Sequence, residues 1–172
     1  SNGVEPAPSG SNWGGVVFRD TSDYETQGIF LNYVNKANIT YGGGQVSVNS
    51  VLGVYAPIHM DTARPTITFN TITNNAAAAM SANPNSFDDS LDRIGPSIHG
   101  NVLTNNSLNG LQVRVRTQLG QPLDTLDVNA RFDDTDIVHI ISENVEITGN
   151  AGGPLNNVPR LSGRLAIDAG TV

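Results

Sequence analysis

One phrase occurs twice in this chain. Residues 65–75 read PTITFNTITNN and residues 96–106 read PSIHGNVLTNN, a spacing of 31 residues. Over residues 65–82 and 96–113 the two copies share six identities: Pro65/Pro96, Ile67/Ile98, Asn70/Asn101, Thr73/Thr104, Asn74/Asn105 and Asn75/Asn106. Ile72/Leu103 and Met80/Leu111 are close replacements. A looser pair sets GIFLNYVNKANITYGGG (28–44) over DIVHIISENVEITGNAG (136–152), sharing Ile29/Ile137, Ile39/Ile147 and Thr40/Thr148. Repeats of about 20–45 residues built from short strands indicate stacked units, each completing its neighbour's core.

The segments between polar corners are short and apolar: GIFLNYV, QVSVNSVLGVY (45–55), TITFNTIT, GLQVRVR (110–116), LDVNARF (126–132) and IVHII (137–141). In GLQVRVR, Leu111, Val113 and Val115 fall on one face and Gln112, Arg114 and Arg116 on the other, the period-2 pattern of a strand. The best helical stretch, AAAAM at 76–80, is one turn long and too short to stand alone. Asparagine has a reason to recur in such a stack. It tolerates the left-handed conformation of a sharp corner, and its amide can hydrogen-bond along a column of coils. Asn109-Gly110 is the only hairpin-type Asn-Gly after residue 13, so the pattern favours parallel coils over an antiparallel sandwich. Ile67, Ile72, Ile98, Leu103, Leu111, Val113 and Val115 are the expected interior residues.

Twenty Asn and fourteen Thr supply polarity in a chain with only 15% charged residues, and both suit strands and turns better than helix interiors. The net charge is −7, with Lys36 the only lysine beside eight arginines. An acidic surface repels phosphates, so nucleic acid and anionic lipid are not expected partners. No apolar run reaches the roughly 18 residues of a membrane helix. Without cysteine there is neither a disulfide framework nor a thiolate metal site. Residues 1–12, SNGVEPAPSGSN, read as a linker or disordered arm, with the ordered domain expected over 13–172.

The pattern I-x-x-N-x-I-x-N-N, followed by Gly and an alternating strand, resembles the coil repeat of right-handed parallel β-helix proteins. The phrases WGGVVFRDTSD, NITYGGGQV, PIHMDTARPTIT, HGNVLTNNSLNGLQVRV, RFDDTDIVHII and RLAIDAGTV are similar to β-helix segments of very large secreted or surface-attached bacterial proteins, mostly without an assigned activity. The resemblance implies an all-β, right-handed β-solenoid of roughly five to seven coils with strands about 4.8 Å apart. It also implies an extracellular or cell-surface location. It leaves function open, since the same fold carries lyases, hydrolases and adhesins. Within that family RLAIDAGTV leads into a further strand. The last coil is therefore expected to be completed elsewhere, by pairing with other copies or neighbouring segments of the same protein.

Chemistry concentrates in RFDDTDIVH, which holds Arg131, Asp133, Asp134, Asp136 and His139. The resemblance implies two uses for such residues: Asp side chains holding calcium against a uronate beside a basic residue, or separated carboxylates acting as acid and base. The bland reading is an Asp-rich corner ahead of a buried strand. Calcium is the one cofactor this turn leaves open. His139, His59 and His99 read as packed histidines, and no pair has metal-ligand spacing. NPNSFDDSLDR (83–93) reads as a soluble acidic excursion carrying Asp88, Asp89 and Asp92, and Gly42, Gly43 and Gly44 as a corner rather than a phosphate cradle. Gln112, Arg114 and Arg116, with Arg131 on a neighbouring coil, form an outward row suited to acidic glycans or to solvent. Three functions follow: a structural or adhesive segment, a polysaccharide lyase or hydrolase, or a calcium- or glycan-binding module without catalysis. The first is favoured because no catalytic motif is complete.

Overall fold

The computed structural model describes residues 9–115, 123–150, 152–158, 160 and 162–172; Arg116 lies outside them. Short strands stack in parallel into a β-solenoid of about 4 turns. The first sheet runs Val16–Arg19, Ile58–Asp61, Ala78–Ala82, Leu108–Val113 and His139–Ile141. The second stacks Tyr33–Asn35, Thr66–Thr68 and Ser97–His99, and the third Asn38–Thr40, Thr71–Thr73 and Val102–Thr104. Among the described residues helical geometry is confined to short 3₁₀ turns.

The repeat aligns in space as its identities require. Ile67 stacks on Ile98 and Ile72 on Leu103, while Met80 stacks on Leu111. A third copy occupies residues 33–42, with Val34 over Ile67 and Ile39 over Ile72. This copy is faint in sequence because Ala37 and Gly42 stand where Asn70 and Asn75 stand one coil later. The looser alignment of 28–44 with 136–152 has no counterpart in these pairings, since Ile147 bridges Leu126 instead. The core is the inward column of these strands: Ile58, Met60, Ile67, Ile72, Met80, Ile98, Leu111 and Val113 are all buried. Each contributes about 1.5–3 kcal/mol by leaving water. Val115 is buried too. Leu103 is only partly buried, because no strand among the described residues stacks beyond Val102–Thr104.

The corners divide labour between adjacent residues. Lys36, Phe69 and Gly100 are stacked equivalents, each with φ between 53° and 65°. Tyr41, Asn74 and Asn105 form the second such column, with φ between 54° and 60°. The residue after each takes the inward ladder position. Asn70 donates its backbone N–H and its amide to Asn101 Oδ1, both at 2.9 Å. Asn75 does the same to Asn106 Oδ1, at 3.2 and 2.7 Å. In TNN, then, the first asparagine makes the left-handed bend and the second builds the ladder; the two virtues of asparagine are used at different positions. At the other corner even Phe69 accepts the left-handed bend, and Gly100 beneath it leaves room for the ring, since a Cβ there would lie 2.6 Å from it.

Two stretches depart from the coil pattern. QVSVNSVLGVY is not a coil strand: Gln45–Val48 and Val51–Val54 pair antiparallel. Asn49 and Ser50, both at positive φ, make the primed turn that a two-residue hairpin needs, so Asn-Ser replaces Asn-Gly. Residues 83–95 leave the coil as expected, through the 3₁₀ turn Pro84–Phe87 and a small hairpin of Asp89–Ser90 with Arg93–Ile94. These excursions take chain that the five-to-seven-coil expectation counts as coils. At the other end of the sequence Ser9–Asn12 is pinned: Asn12 donates its N–H to Tyr41, and Gly10 accepts from Ala76. The triple glycine is a corner closed by Trp13, whose ring lies 3.1 Å from where a Gly42 Cβ would sit.

Leu111 is fully buried in this column, so Leu111→Asp strands a charge in the core and is expected to abolish soluble folding. A Leu111→Asp protein that melts like the parent would remove the inward assignment. The adjacent asparagines give a finer contrast. Asn74→Gly is expected to change stability by less than about 0.5 kcal/mol, because glycine takes the left-handed bend freely. Asn75→Ala removes the acceptor of the buried Gly42 N–H at 2.7 Å and is expected to cost about 1–3 kcal/mol. Equilibrium denaturation of the two variants, with equal losses, would contradict the division of labour.

Candidate functional site

The Asp-rich turn at 133–136 lies where a further strand of the second sheet would stack. Ser97 donates its N–H back to Pro65, so Ile98 and Gly100 point their N–H groups toward the next coil position. Among the described residues no strand meets them. Asp134 Oδ1 accepts the Ile98 N–H at 3.3 Å and Asp136 Oδ2 accepts the Gly100 N–H at 2.8 Å. Two carboxylates thus replace the carbonyl groups of a missing strand. Burial pushes the Asp134 carboxyl up to about 7, opposed by the Ile98 N–H and reinforced by Asp133 and Asp136. Asp133 is raised as well, chiefly by burial.

Arg131 turns away from this turn. It sits on Asn129–Phe132, which pairs in parallel with Arg164–Ile167, and grips Asp168 with Nε at 3.0 and 3.1 Å and Nη2 at 2.9 Å. Asp89 of the excursion approaches its other side at 3.9 Å. Among the described residues no ion pair joins Asp133, Asp134 or Asp136 to an arginine of a neighbouring coil. Nor does any group of three or more His, Asp or Glu side chains stand together in a way that could hold a metal ion.

Arg114 is in a different place. Its guanidinium lies 4.4 Å over the Tyr55 ring and donates to the Val54 carbonyl. It therefore fastens the hairpin to the first sheet instead of standing free in a row. Gln112 beside it donates to Ser142 Oγ at 3.0 Å. So the structure separates Arg114 from the Asp-rich turn, and the candidate residues do not assemble into one site.

A further polar constellation is one that sequence gives no reason to join. Beneath the hairpin, His59 Nδ1 lies 2.9 Å from Ser81 Oγ, and the His59 ring packs tilted against Tyr55 at 4.6 Å. Asp61 accepts from Asn49 at 2.6 Å and Asn83 at 3.2 Å. A Ser–His pair is half of a nucleophilic apparatus, but Ser81 and His59 are 0% and 3% exposed. A substrate carbon cannot reach that hydroxyl. Burial, with Arg114 nearby, pushes the imidazole down to about 4, so it is a neutral hydrogen-bonding core residue. His139 is likewise a packed residue: it stacks on Phe132 at 4.7 Å, and both ring nitrogens are buried without a partner.

A second hub lies on the opposite side of the excursion. Arg64 and Glu25, each 5% exposed, meet at 3.3 Å, and Glu25 also accepts the Arg64 backbone N–H at 2.8 Å. Arg64 Nη1 reaches the carbonyls of Asp88, Ser90 and Arg93 at 3.0 to 3.3 Å. Arg64 and Arg93 flank Phe30 at 4.7 and 5.2 Å. The acidic excursion is therefore not simply solvated: Asp88 faces Arg64 and Asp89 faces Arg131.

No protein-family model, no curated protein and no solved structure matches this chain.

The two large shifts have opposite consequences for stability. Asp134 holds its proton more tightly when folded, so its contribution is complete below about pH 4 and is lost as pH rises through about 7. His59 resists protonation when folded, so its contribution is complete above about pH 6.5 and is lost as pH falls toward about 4. The two slopes oppose each other between pH 4 and 6.5, with His139, also lowered by burial, on the side of His59. Above about pH 6.5 the histidine slopes fade and that of Asp134 prevails. Melting temperature in the parent is expected to fall between pH 6.5 and 8. Asp134→Asn, which keeps the acceptor for Ile98, is expected to flatten that fall and steepen the acid limb. Identical pH profiles for the two proteins would exclude this assignment.

Proposed function

We propose that this protein is a structural, adhesive segment of a secreted or surface-attached bacterial protein, a stiff β-solenoid that presents or spaces other elements and packs with copies of itself. One observation carries the reading: Asp134, Asp136 and Arg131, three of the charged groups that could do chemistry, are taken up by the fold. Asp134 and Asp136 accept backbone N–H groups of the preceding coil, and Arg131 is held by Asp168. A catalytic carboxylate needs a substrate atom within hydrogen-bond reach and freedom to exchange a proton with it. These carboxylates face backbone. The secreted location and bacterial parentage rest on the resemblance of the coil phrases, and the solenoid supplies the rigid rod such a role requires.

Incubation of the folded protein with polyuronates and neutral polysaccharides, with and without calcium, is expected to yield no new reducing ends and no unsaturated products. Calcium is expected to leave the melting temperature unchanged. Cleavage abolished by Asp133→Asn would establish a lyase or hydrolase instead. A calcium-dependent melting shift without cleavage would establish a binding module.

A further inference from the structure

The two edges of the second sheet are unlike. At Ser97–His99 the outward N–H groups are taken by Asp134 and Asp136. At the opposite edge, Tyr33–Asn35, pairing with the next coil uses Asn32 and Lys36: Thr66 donates to the Asn32 carbonyl, and Lys36 donates to the Thr68 carbonyl. In a parallel ladder alternate residues face alternate sides, so Tyr33 and Asn35 direct their backbone groups away from the solenoid. Among the described residues nothing bonds to them. The neighbouring strands at this end are covered in part. Trp13 donates to the Thr40 carbonyl at 2.7 Å and Asn12 to the Tyr41 carbonyl at 2.9 Å, while Arg19 exchanges hydrogen bonds with Ser22.

The open edge is also fronted by apolar surface. Tyr33 is 72% exposed, Leu31 70%, Tyr24 62% and Ile29 40%. Tyr24 and Ile29 are bridged to each other, and Tyr24 and Leu31 line one shallow depression with Asp23. Asp23 fixes the approach to the strand by accepting the N–H groups of Leu31 and Asn32. Four such side chains offer roughly 500 Å² per copy at the areas typical of large apolar and aromatic residues, so two copies bring together roughly 1,000 Å², the threshold for a specific interface.

We propose that the Tyr33–Asn35 edge is a self-association surface whose occupant is the same edge of a second copy. Deepening the proposed scaffold role and resting on it, this assigns the role a closed, two-fold dimer. The reason is the seal: a head-to-tail stack through this sheet needs both edges open, and Asp134 and Asp136 close one of them. Within this sheet the edge left open then meets its own equivalent, antiparallel, with Val34 opposite Val34 and Tyr33 opposite Asn35. Each copy then supplies outward N–H and C=O groups to the other, and the exposed Tyr and Leu side chains meet across the junction.

Sedimentation velocity over a concentration series tests this on the full chain. The parent is expected to approach twice the chain mass and stop there. Tyr33→Lys, which sets like charges on the outer face of the edge without touching the inward column, is expected to give a monomer with unchanged circular dichroism. Leu31→Lys serves as the second variant if Tyr33→Lys fails to fold. Asp134→Ala with Asp136→Ala opens the sealed edge and is expected to yield species larger than a dimer. A parent that stays monomeric at several hundred micromolar overturns the proposal, as do a parent that grows past a dimer and edge variants that remain dimeric. A monomer inert toward polysaccharides overturns the dimer and leaves the scaffold reading standing, whereas polysaccharide cleavage overturns that reading whatever the mass.

Discussion

A backbone N–H at the corner of a coil, accepted by an asparagine side chain of the next coil, is the contact on which the rest of this solenoid depends. Ala37 donates to Asn70, Asn70 to Asn101, Gly42 to Asn75 and Asn75 to Asn106. At a sharp corner the strand ladder is interrupted and an inward N–H has no strand partner. Leaving it buried and unpaired would cost about 1–3 kcal/mol per corner. The amide of the same asparagine donates onward, from Asn70 to the Val34 carbonyl and from Asn101 to the Ile67 carbonyl. One side chain therefore ties its coil to the one before it by both an acceptor and a donor. Because the tie is specific to one residue per corner, it also fixes register. A slip by one would turn Ile67, Ile72 and Ile98 to solvent.

Everything outside the ladder handles edges. A solenoid must cover the ends of its sheets and the flanks where excursions leave. The chain uses a different device at each: Trp13 and Asn12 over the third sheet, Arg64 and Glu25 under the excursion, Arg131 and Asp168 between the late strands, and Asp134 and Asp136 over the second sheet. Arg64 illustrates the logic. A buried ion pair adds little net stability by its charge attraction alone, because desolvation offsets much of the gain. Its value here lies in direction: one planar group addresses Glu25 and three carbonyls on both sides of a loop, and so fixes where that loop sits on the coil.

How much of this was legible in the sequence depends on what signal each feature leaves. The stacked coils, the inward column through Leu111 and Val113, and the pairing of Asn70 with Asn101 follow from an internal repeat, which reports spatial equivalence directly. The first copy at 33–42 is hidden because a terminal ladder position needs no acceptor for a preceding coil, so Ala37 and Gly42 serve there. The hairpin at 45–54 is hidden because Asn-Ser makes the turn without glycine, and alternation alone cannot tell a coil strand from a hairpin strand. Arg64 with Glu25 and His59 with Ser81 are 39 and 22 residues apart, and no local pattern joins them. The Asp-rich turn was visible as a corner, but its partners, Ile98 and Gly100, are 36 residues away.

That turn explains why structural and catalytic readings of such a sequence are hard to separate by composition. Stopping a parallel sheet requires acceptors at the spacing of every second residue along the edge. Asp134 and Asp136 have that spacing, and a pair of carboxylates two residues apart beside an arginine is also what a carbohydrate-active site offers. Direction decides between them. A strand edge presents N–H groups, so carboxylates facing it satisfy backbone, and one of them, Asp134, is lifted toward neutrality by its own burial. Carboxylates facing a groove would be open to a ligand. Here the two face the backbone of the coil before them. Asp134 and Asp136 are spent on ending the second sheet, and the edge of that sheet left unfinished is the other one, at Tyr33–Asn35, where apolar side chains stand in place of charge.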